Sequence, residues 1–212
     1  MNKKLISLNI CFLSIISGYS QEKKNKFYNE SSVEISKNKF LNTHNNNKNL
    51  AIYLENDSIK FNLLINRKKS GNLNGKSFNA FKKHLDELNG TQLDSTKSKI
   101  IIYLSATPNI SPNINLKTTW NIFDNDYLKK LNRIDDLEIL WIHSPMRKNL
   151  EYFHSDRINW VADKGDVLKN LFFEYETSYG NFIIVKPNGQ YFYYLGEFGK
   201  QHVLRYTRKF LK

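Results

Sequence analysis

The feature of the sequence that most restricts the fold is an uninterrupted apolar run, Ile100-Ile101-Ile102-Tyr103-Leu104. A strand that is apolar on both faces needs cover on both faces, so the run predicts a strand inside a sheet with helices above and below it. Residues 137–142 form a second apolar run, and an apolar helical stripe at residues 127–131 lies between the two. Strands joined by a helix are expected to be parallel neighbours.

The remaining patterns complete an α/β fold. Residues 181–185 and 190–195 predict two strands joined through Pro187-Asn188-Gly189, which is typical of a tight hairpin. Residues 51–54 and 59–65 predict an earlier hairpin, residues 67–76 a loop, and Ser77 the N-cap of a helix. Apolar spacing predicts further helices over residues 78–88, 167–175 and 203–211. We therefore expect a mixed central sheet flanked by helices, with an N-terminal β-hairpin and helix extension.

The amino terminus predicts export. Lys3 and Lys4 precede a mostly apolar stretch at residues 5–16, and small residues follow at Ser17 and Gly18. This pattern is typical of a secretory signal peptide over residues 1–20, and an uncleaved interfacial anchor is the alternative. No later stretch approaches the roughly 20 apolar residues of a membrane span. The mature protein is therefore expected in the periplasm or outside the cell, without a stable membrane span.

Domain organisation follows from the composition of the rest of the chain. Residues 21–49 are rich in Lys, Asn and Ser and have few aliphatic residues, so they predict a polar, poorly ordered lead-in with at most a short edge strand at residues 33–40. Residues 50–212 predict a single domain. The only cysteine, Cys11, lies in the predicted signal peptide. A mature chain without cysteine has no disulfide, no thiolate metal site and no cysteine nucleophile.

Two segments resemble the thioredoxin-like fold of exported thiol-disulfide oxidoreductases. The stretch Leu104-Ser105-Ala106-Thr107-Pro108-Asn109-Ile110-Ser111-Pro112 resembles their active-site loop, in which Ala-Thr-Trp is followed by Cys-Pro-Pro-Cys. Asn109 and Pro112 fall where the two cysteines would be. Residues 179–189 resemble the family's Pro-Thr-Phe-Ile-Leu-Ile-Asp-Pro-Asp-Gly stretch, and Gly180 falls where its cis-proline would be. The resemblance covers residues 93–212 and implies a thioredoxin-like three-layer sandwich over residues 50–212.

The resemblance implies binding without redox chemistry. Family chemistry needs a thiolate that attacks a disulfide and a second thiol that resolves the intermediate, and neither is present at this loop. The protein is therefore not expected to be a thiol-disulfide oxidoreductase. It is expected to be a binding or structural module of the cell envelope, with a protein, a peptide or an anionic polymer as its ligand. The degenerate site would comprise Thr107, Pro108, Asn109, Pro112 and Gly180.

The residues leave two other functions open, an enzyme and a binder of anionic polymers. A hydrolase-type enzyme could use His143 or His154 with an aspartate, although Asp163 and Asp166 are better placed to cap a helix. The five histidines show no zinc-binding spacing and the chain has no phosphate-binding loop motif, so neither a metal nor a cofactor is predicted.

The charge of the chain suggests the second function, binding of an anionic polymer. The net charge is +12, and the last predicted helix carries a concentrated basic tract (Arg205, Arg208, Lys209, Lys212). Such a tract could bind an anionic polymer, or the charge could simply solvate the surface.

Overall fold

The computed structural model of the chain describes residues 23–212, so the predicted signal peptide and Cys11 lie outside the described residues. No helix within residues 23–212 is both long and apolar enough to cross a bilayer. The elements in chain order are β1 (Lys24–Tyr28), β2 (Glu34–Ile35), α1 (Lys37–Thr43), β3 (Asn49–Glu55), β4 (Ile59–Asn66), β5 (Lys68–Asn72), α2 (Gly75–Asn89), β6 (Ser98–Leu104), α3 (Asn125–Asn132), β7 (Leu137–His143), β8 (Val161–Ala162), α4 (Val167–Phe172), β9 (Gly180–Val185), β10 (Gln190–Tyr194) and α5 (Lys200–Leu211).

A six-stranded mixed sheet forms the centre of the protein, in the order β5-β10-β9-β6-β7-β8. Strand β6 pairs in parallel with β7 and antiparallel with β9, and β9 and β10 form an antiparallel hairpin. Gly189 closes this hairpin with a φ of 84°, a conformation that favours glycine. The prediction of an α/β protein with a mixed sheet is confirmed.

Helices cover both faces of this sheet, as the apolar run in β6 predicts. Ile100, Ile102 and Leu104 face a core that includes residues of α3 and α5. Ile101 and Tyr103 face a second core that includes residues of α2 and α4. Because successive side chains of a strand point to opposite faces, one apolar strand supplies both cores. Every residue of β6 is buried.

A separate four-stranded sheet, in the order β2-β1-β4-β3, precedes the central sheet in the chain. Here the structure differs from the poorly ordered lead-in predicted over residues 21–49, because β1, β2 and α1 lie within that segment. Strand β1 runs parallel to β4, so its main-chain groups are paired. Phe27 of β1 packs edge-on against the buried Phe40 of α1, with ring centroids 5.3 Å apart. Two aromatic anchors and main-chain pairing therefore order a segment whose composition is polar.

Arg67 connects the two sheets at the junction of β4 and β5. Its side chain donates from Nε to the carbonyl of Leu195 at 2.7 Å and from Nη1 to the carbonyl of Asn46 at 2.6 Å. The loop predicted over residues 67–76 is wrong, because β5 occupies residues 68–72 and pairs with β10. The predicted cap is also displaced: Asn74 accepts from the amide of Ser77 at 2.9 Å and so begins α2.

Candidate functional site

The two segments that carry the family resemblance meet at one end of the central sheet. Leu104 at the end of β6 lies opposite Gly180 at the start of β9, and the amide of Tyr179 donates to the carbonyl of Thr107 at 3.0 Å. Pro108 follows Thr107 through a cis peptide bond. The structure therefore brings Thr107 and Pro108 together with the segment that contains Gly180.

Asn109 and Pro112 lie farther along the same loop and are exposed. The carbonyl of Ser111, between them, accepts from Asn149 at 2.7 Å. Neither side chain forms a hydrogen bond to another described residue. These two predicted site residues are thus available to a ligand, but the structure does not place them against Gly180.

Gly180 is required by close packing. A Cβ atom at this position would lie 2.9 Å from the carbonyl oxygen of Tyr103 and 3.1 Å from the ring of Trp120. Contacts of this kind with a backbone atom cannot be relieved by a simple side-chain rotation. In this protein, the position that corresponds to the family's cis-proline therefore accepts only glycine.

Arg147 fixes the two segments to each other, and sequence patterns gave no sign of it. Its Nη1 donates to the carbonyl of Pro108 at 2.5 Å, and its Nη2 donates to the carbonyls of Thr107 at 2.6 Å and Tyr179 at 3.4 Å. The residue is only 5 % exposed, and its guanidinium lies over the ring of Phe153. One arginine therefore ties both loops through their main chains.

The electrostatic state of Arg147 follows from its burial. Burial lowers the pKa of Arg147 to about 10, against the opposing effect of the negative charge on Glu176. The guanidinium is therefore still charged at neutral pH. It forms no salt bridge with a carboxylate of residues 23–212, and its buried Nε has no hydrogen-bond partner there. Carbonyl dipoles, the ring of Phe153 and the more distant charge of Glu176 together compensate this charge.

Asn181 links three chain segments at the same end of the central sheet. Its Nδ2 donates to Ser105 at 3.1 Å, and its Oδ1 accepts from the hydroxyl of Thr177 at 2.7 Å and from the amide of Gly196 at 2.9 Å. Asn181 is completely buried. Three chain segments thus share one buried amide, which gives the cleft described next a rigid base.

A cleft of about 930 Å³ lies beside this end of the sheet, and we call it the edge cleft. One wall is formed by residues 50–54 of β3 and the facing wall by residues 174–179. Thr107 and Arg67 also line it, so it adjoins the predicted site. Its aliphatic and aromatic lining comprises Leu50, Ala51, Ile52, Tyr53, Leu54, Tyr175 and Tyr179. A mostly apolar cleft with polar main-chain groups at its edges is typical of a binding site.

Tyr179 stands between the edge cleft and a second cleft of about 600 Å³, which is lined by residues including Trp120, Phe198 and His202. Its φ is 72°, an uncommon conformation for a residue other than glycine or asparagine. The hydrogen bonds to Thr107 and from Arg147 hold this conformation. The residue is 39 % exposed and lines both clefts, so the strained backbone presents an aromatic side chain to each of them.

The histidines proposed for an enzyme do not converge with an aspartate. His143 is buried, its Nδ1 bonds to the carbonyl of Ser144 at 2.7 Å, and burial lowers its pKa. His154 bonds to the carbonyl of Thr118 and to Arg157, at 3.0 and 2.8 Å.

Asp156 forms its ion pair with Lys117 at 2.8 Å instead of with His154, and the hydrogen bond from that lysine lowers its pKa. Among residues 23–212 there is no group of three or more His, Cys, Asp or Glu that could hold a metal.

A buried polar cluster around Asp163 was only partly predicted. Asp163 accepts from the amides of Leu168 and Lys169, which confirms that it caps α4. It also bonds to Nε2 of His84 at 2.7 Å, and it contributes with burial to raising the pKa of Tyr103. Asp163 is 0 % exposed, so this cluster is closed to ligands and has a structural role. Asp166, the other predicted cap, forms no side-chain cap bond.

The outer face of α5 forms a basic surface, defined here by Arg205, Arg208, Lys209 and Lys212 with the neighbouring Lys68 and Lys186. None of these six residues forms a salt bridge with a carboxylate of residues 23–212. Burial, and then the positive charges of Arg205 and Arg67, lower the pKa of His202 on the same helix. The cations therefore produce a positive field that adjacent acidic groups do not cancel.

Comparison of the chain with protein-family models, with curated proteins and with solved structures finds no match. Function is therefore inferred from the clefts, the buried polar contacts and the distribution of charge.

Proposed function

We propose that this protein is an exported, redox-inactive thioredoxin-like module that binds a peptide segment of a partner protein in the edge cleft. The observation that carries the proposal is the cleft itself, because it combines apolar walls with the end of the sheet where the two family-like segments meet. Thr107 lines it directly, and Arg147 and Asn181 keep the surrounding loops in place.

The strand order supports the thioredoxin-like part of the proposal. A parallel pair, β6 and β7, lies beside an antiparallel hairpin, β9 and β10, and helices follow in the order that the family resemblance implies. The loop after β6 and the start of β9 meet at one sheet end, as the active-site loop and the cis-proline do in that family. The helix that follows the loop begins only at Asn125, which is a departure from the family pattern.

The absence of a thiol supports binding instead of disulfide exchange. Residues 23–212 contain no cysteine, and the exposed Asn109 and Pro112 stand where the resemblance places the two cysteines. A side-chain amide and a pyrrolidine ring cannot form a mixed disulfide with a substrate. What remains of the family's site is its shape and its main-chain groups, which are sufficient for recognition.

A random-sequence peptide library displayed on phage tests the proposal. We expect the exported chain to enrich peptides whose dissociation constants, measured by fluorescence anisotropy, lie in the micromolar range. Tyr179→Asn should weaken their binding about tenfold, because it removes an exposed aromatic contact while asparagine still tolerates the positive φ.

The matched control is Leu41→Asn, which removes an exposed apolar side chain on α1, outside the edge cleft. It should leave peptide binding unchanged. Failure to enrich any peptide, or equal loss of binding in both variants, would contradict the proposed function.

A second candidate function is binding of an anionic polysaccharide at the basic surface. In a helix, residues at spacings of three, four and seven lie on one face, so Arg205, Arg208, Lys209 and Lys212 form a row about 10 Å long at a rise of about 1.5 Å per residue. The aromatic rings beneath them are already covered: Arg205 lies over Tyr206 and Lys186 over Phe210. Recognition here would rest on charge and not on stacking, which favours a polysaccharide over single-stranded nucleic acid.

Retention on immobilised heparin tests this second function. Replacing Arg205, Arg208 and Lys209 together with glutamine should lower the eluting salt concentration and reduce the slope of log affinity against log salt by roughly two to three. The control replaces Lys37, Lys39 and Lys60 with glutamine and so removes the same net charge. These lysines are exposed on α1 and on the four-stranded sheet. Equal shifts in the two triple variants would show that only net charge matters, and tighter binding to DNA oligonucleotides than to heparin would exclude the polysaccharide.

A further inference from the structure

Within residues 23–212, strand β3 has no neighbouring strand on one of its edges, and the register of its hairpin identifies which main-chain groups point outward. At one end of the hairpin the amide of Arg67 donates to the carbonyl of Lys48 at 2.9 Å, and at the other end the amide of Asn56 donates to the carbonyl of Ile59 at 3.0 Å. Hydrogen-bonded pairs alternate with non-bonded pairs in an antiparallel ladder. The even-numbered residues of β3 therefore bond to β4, and Ala51 and Tyr53 direct their N–H and C=O groups away from it.

The edge cleft runs along this free edge. Five consecutive residues, 50–54, line it, although neighbouring side chains of a strand point to opposite faces of the sheet. Both sets of side chains can border a single cleft only where it follows the strand's edge. The outward main-chain groups of Ala51 and Tyr53 therefore open into the cleft, where they form no hydrogen bond to a residue of the described chain.

The other outer strands of the two sheets are protected, and β3 is not. Strands β2 and β8 are only two residues long, and β5 begins with two lysines. Short length and lysine are common devices that prevent an edge from pairing with another chain. Residues 50–54 read Leu-Ala-Ile-Tyr-Leu, with no charge and no proline, and Tyr53 and Leu54 are 69 % and 49 % exposed. Such an edge is a template for an added strand.

The facing wall determines what can occupy the edge. Residues 174–179 stand opposite β3, so the cleft is bounded on both sides and suits one extended chain. A second copy of the protein could offer its own β3 only together with the residues 174–179 that stand opposite that strand. A single extended chain therefore fits the cleft better than a second copy does. Glu174 and Glu197 line the cleft without a salt bridge to a residue of the described chain, whereas Glu176 is paired with Lys169 at 3.2 Å. Arg67 is the remaining charged residue of the lining, so two unpaired carboxylates stand against one unpaired guanidinium, and this excess of negative charge favours a ligand with a basic residue.

We infer that the edge cleft binds its ligand by strand addition: an extended, apolar peptide segment with a basic residue joins the four-stranded sheet by pairing with Ala51 and Tyr53 of β3. The inference rests on the proposed function and specifies its mode. Main-chain bonds to β3 supply affinity that does not depend on the peptide sequence. The apolar walls and the two glutamates supply the selectivity.

Peptides enriched from the phage library serve as the probe, and Ala51→Pro is the decisive variant. Proline removes the outward N–H of residue 51, and the ladder to β4 is retained because that N–H does not bond to β4. We expect about tenfold weaker peptide binding, since the lost donor leaves a peptide carbonyl unpaired. Leu41→Asn, which lies on α1 outside the edge cleft, is the control, and its affinity should stay within about twofold of the unchanged chain.

Amide hydrogen exchange of the unaltered protein gives a second readout that does not depend on how the proline variant folds. Bound peptide should slow exchange at Ala51 and Tyr53 more than at the residues bonded to β4. If peptides bind and Tyr179→Asn weakens them, but neither amide is protected, strand addition is wrong while the proposed function stands. If no peptide binds, both fail. A dimer that dissociates in Ala51→Pro would show that the edge pairs with a second copy, which would also overturn the inference.

Discussion

Replacing Asp163 with alanine is expected to lower the free energy of unfolding by about 4 kcal/mol, the largest effect of any single polar substitution proposed for this chain. The carboxylate is fully buried and bonds to Nε2 of His84 and to the amides of Leu168 and Lys169. The hydroxyl of Tyr103 lies 3.5 Å away. Alanine leaves all these donors buried without a partner. For a domain of this size the melting temperature should fall by about 10 °C.

Urea denaturation followed by far-ultraviolet circular dichroism measures the effect of the substitution. The matched control is Asp166→Asn, at the start of the same helix, where the side chain forms no cap bond and the replacement tolerates a φ of 53°. It should change the free energy of unfolding by less than about 0.5 kcal/mol. A small effect of Asp163→Ala, equal to that of the control, would mean that the buried cluster contributes nothing net to stability.

The same cluster illustrates what the sequence could and could not predict. That Asp163 caps a helix follows from local spacing, because a cap and its amides are a few residues apart. Its bond to His84 joins residues 79 positions apart, and the bond forms only when α2 packs beside α4. Helical spacing places His84 on the apolar face, three residues after Phe81 and four before Leu88, but this spacing does not identify its partner. Long-range polar pairs are therefore invisible until the layers are assembled.

Strong hydrophobic patterns predicted the central sheet well, and polar strands were missed. The run at Ile100–Leu104 places β6 between two cores because burial on both faces leaves no other solution for five consecutive apolar residues. Strands β1 and β5 contain mostly polar residues, and they form through main-chain pairing with β4 and β10. Strand β5 is an edge strand, and β1 has only the two-residue β2 on its outer side. Strands in such positions need little burial of their own, so their sequences resemble those of loops.

The candidate site also combines features that the sequence indicated with features that it did not indicate. Thr107 and Pro108 lie beside the segment around Gly180, because one segment follows β6 and the other begins β9, and these strands are antiparallel neighbours in one sheet. The edge cleft and Arg147 could not be foreseen, because the cleft lies between β3 and the loop that precedes β9, and a lone arginine after a strand has no distinguishing pattern. The walls of this cleft belong to residues more than 100 positions apart, and only the assembled fold places them together.

Replacing Arg147 with alanine should lower the free energy of unfolding by about 3 kcal/mol and loosen the two loops of the site. Three carbonyls, those of Thr107, Pro108 and Tyr179, lose their bond from the arginine at once, although that of Thr107 keeps the amide of Tyr179 as a donor. The loss is smaller than three full hydrogen bonds to a charge would give, because the buried guanidinium also has an unpartnered Nε whose desolvation opposes folding. The net effect should therefore lie below that of Asp163→Ala.

Amide exchange distinguishes this role of Arg147 from a general contribution to the core. The amide of Tyr179 bonds to the carbonyl of Thr107, so it should exchange faster in Arg147→Ala even under conditions where the central sheet remains protected. Arg147→Lys, which keeps the charge but reaches fewer carbonyls, should restore part of the protection. Arg157→Ala removes an exposed arginine with a single bond to His154, and should alter neither stability nor exchange. Unchanged exchange at Tyr179 in Arg147→Ala would mean that the loops hold their conformation without the arginine, and the edge cleft would then owe its shape to Asn181 and the surrounding packing alone.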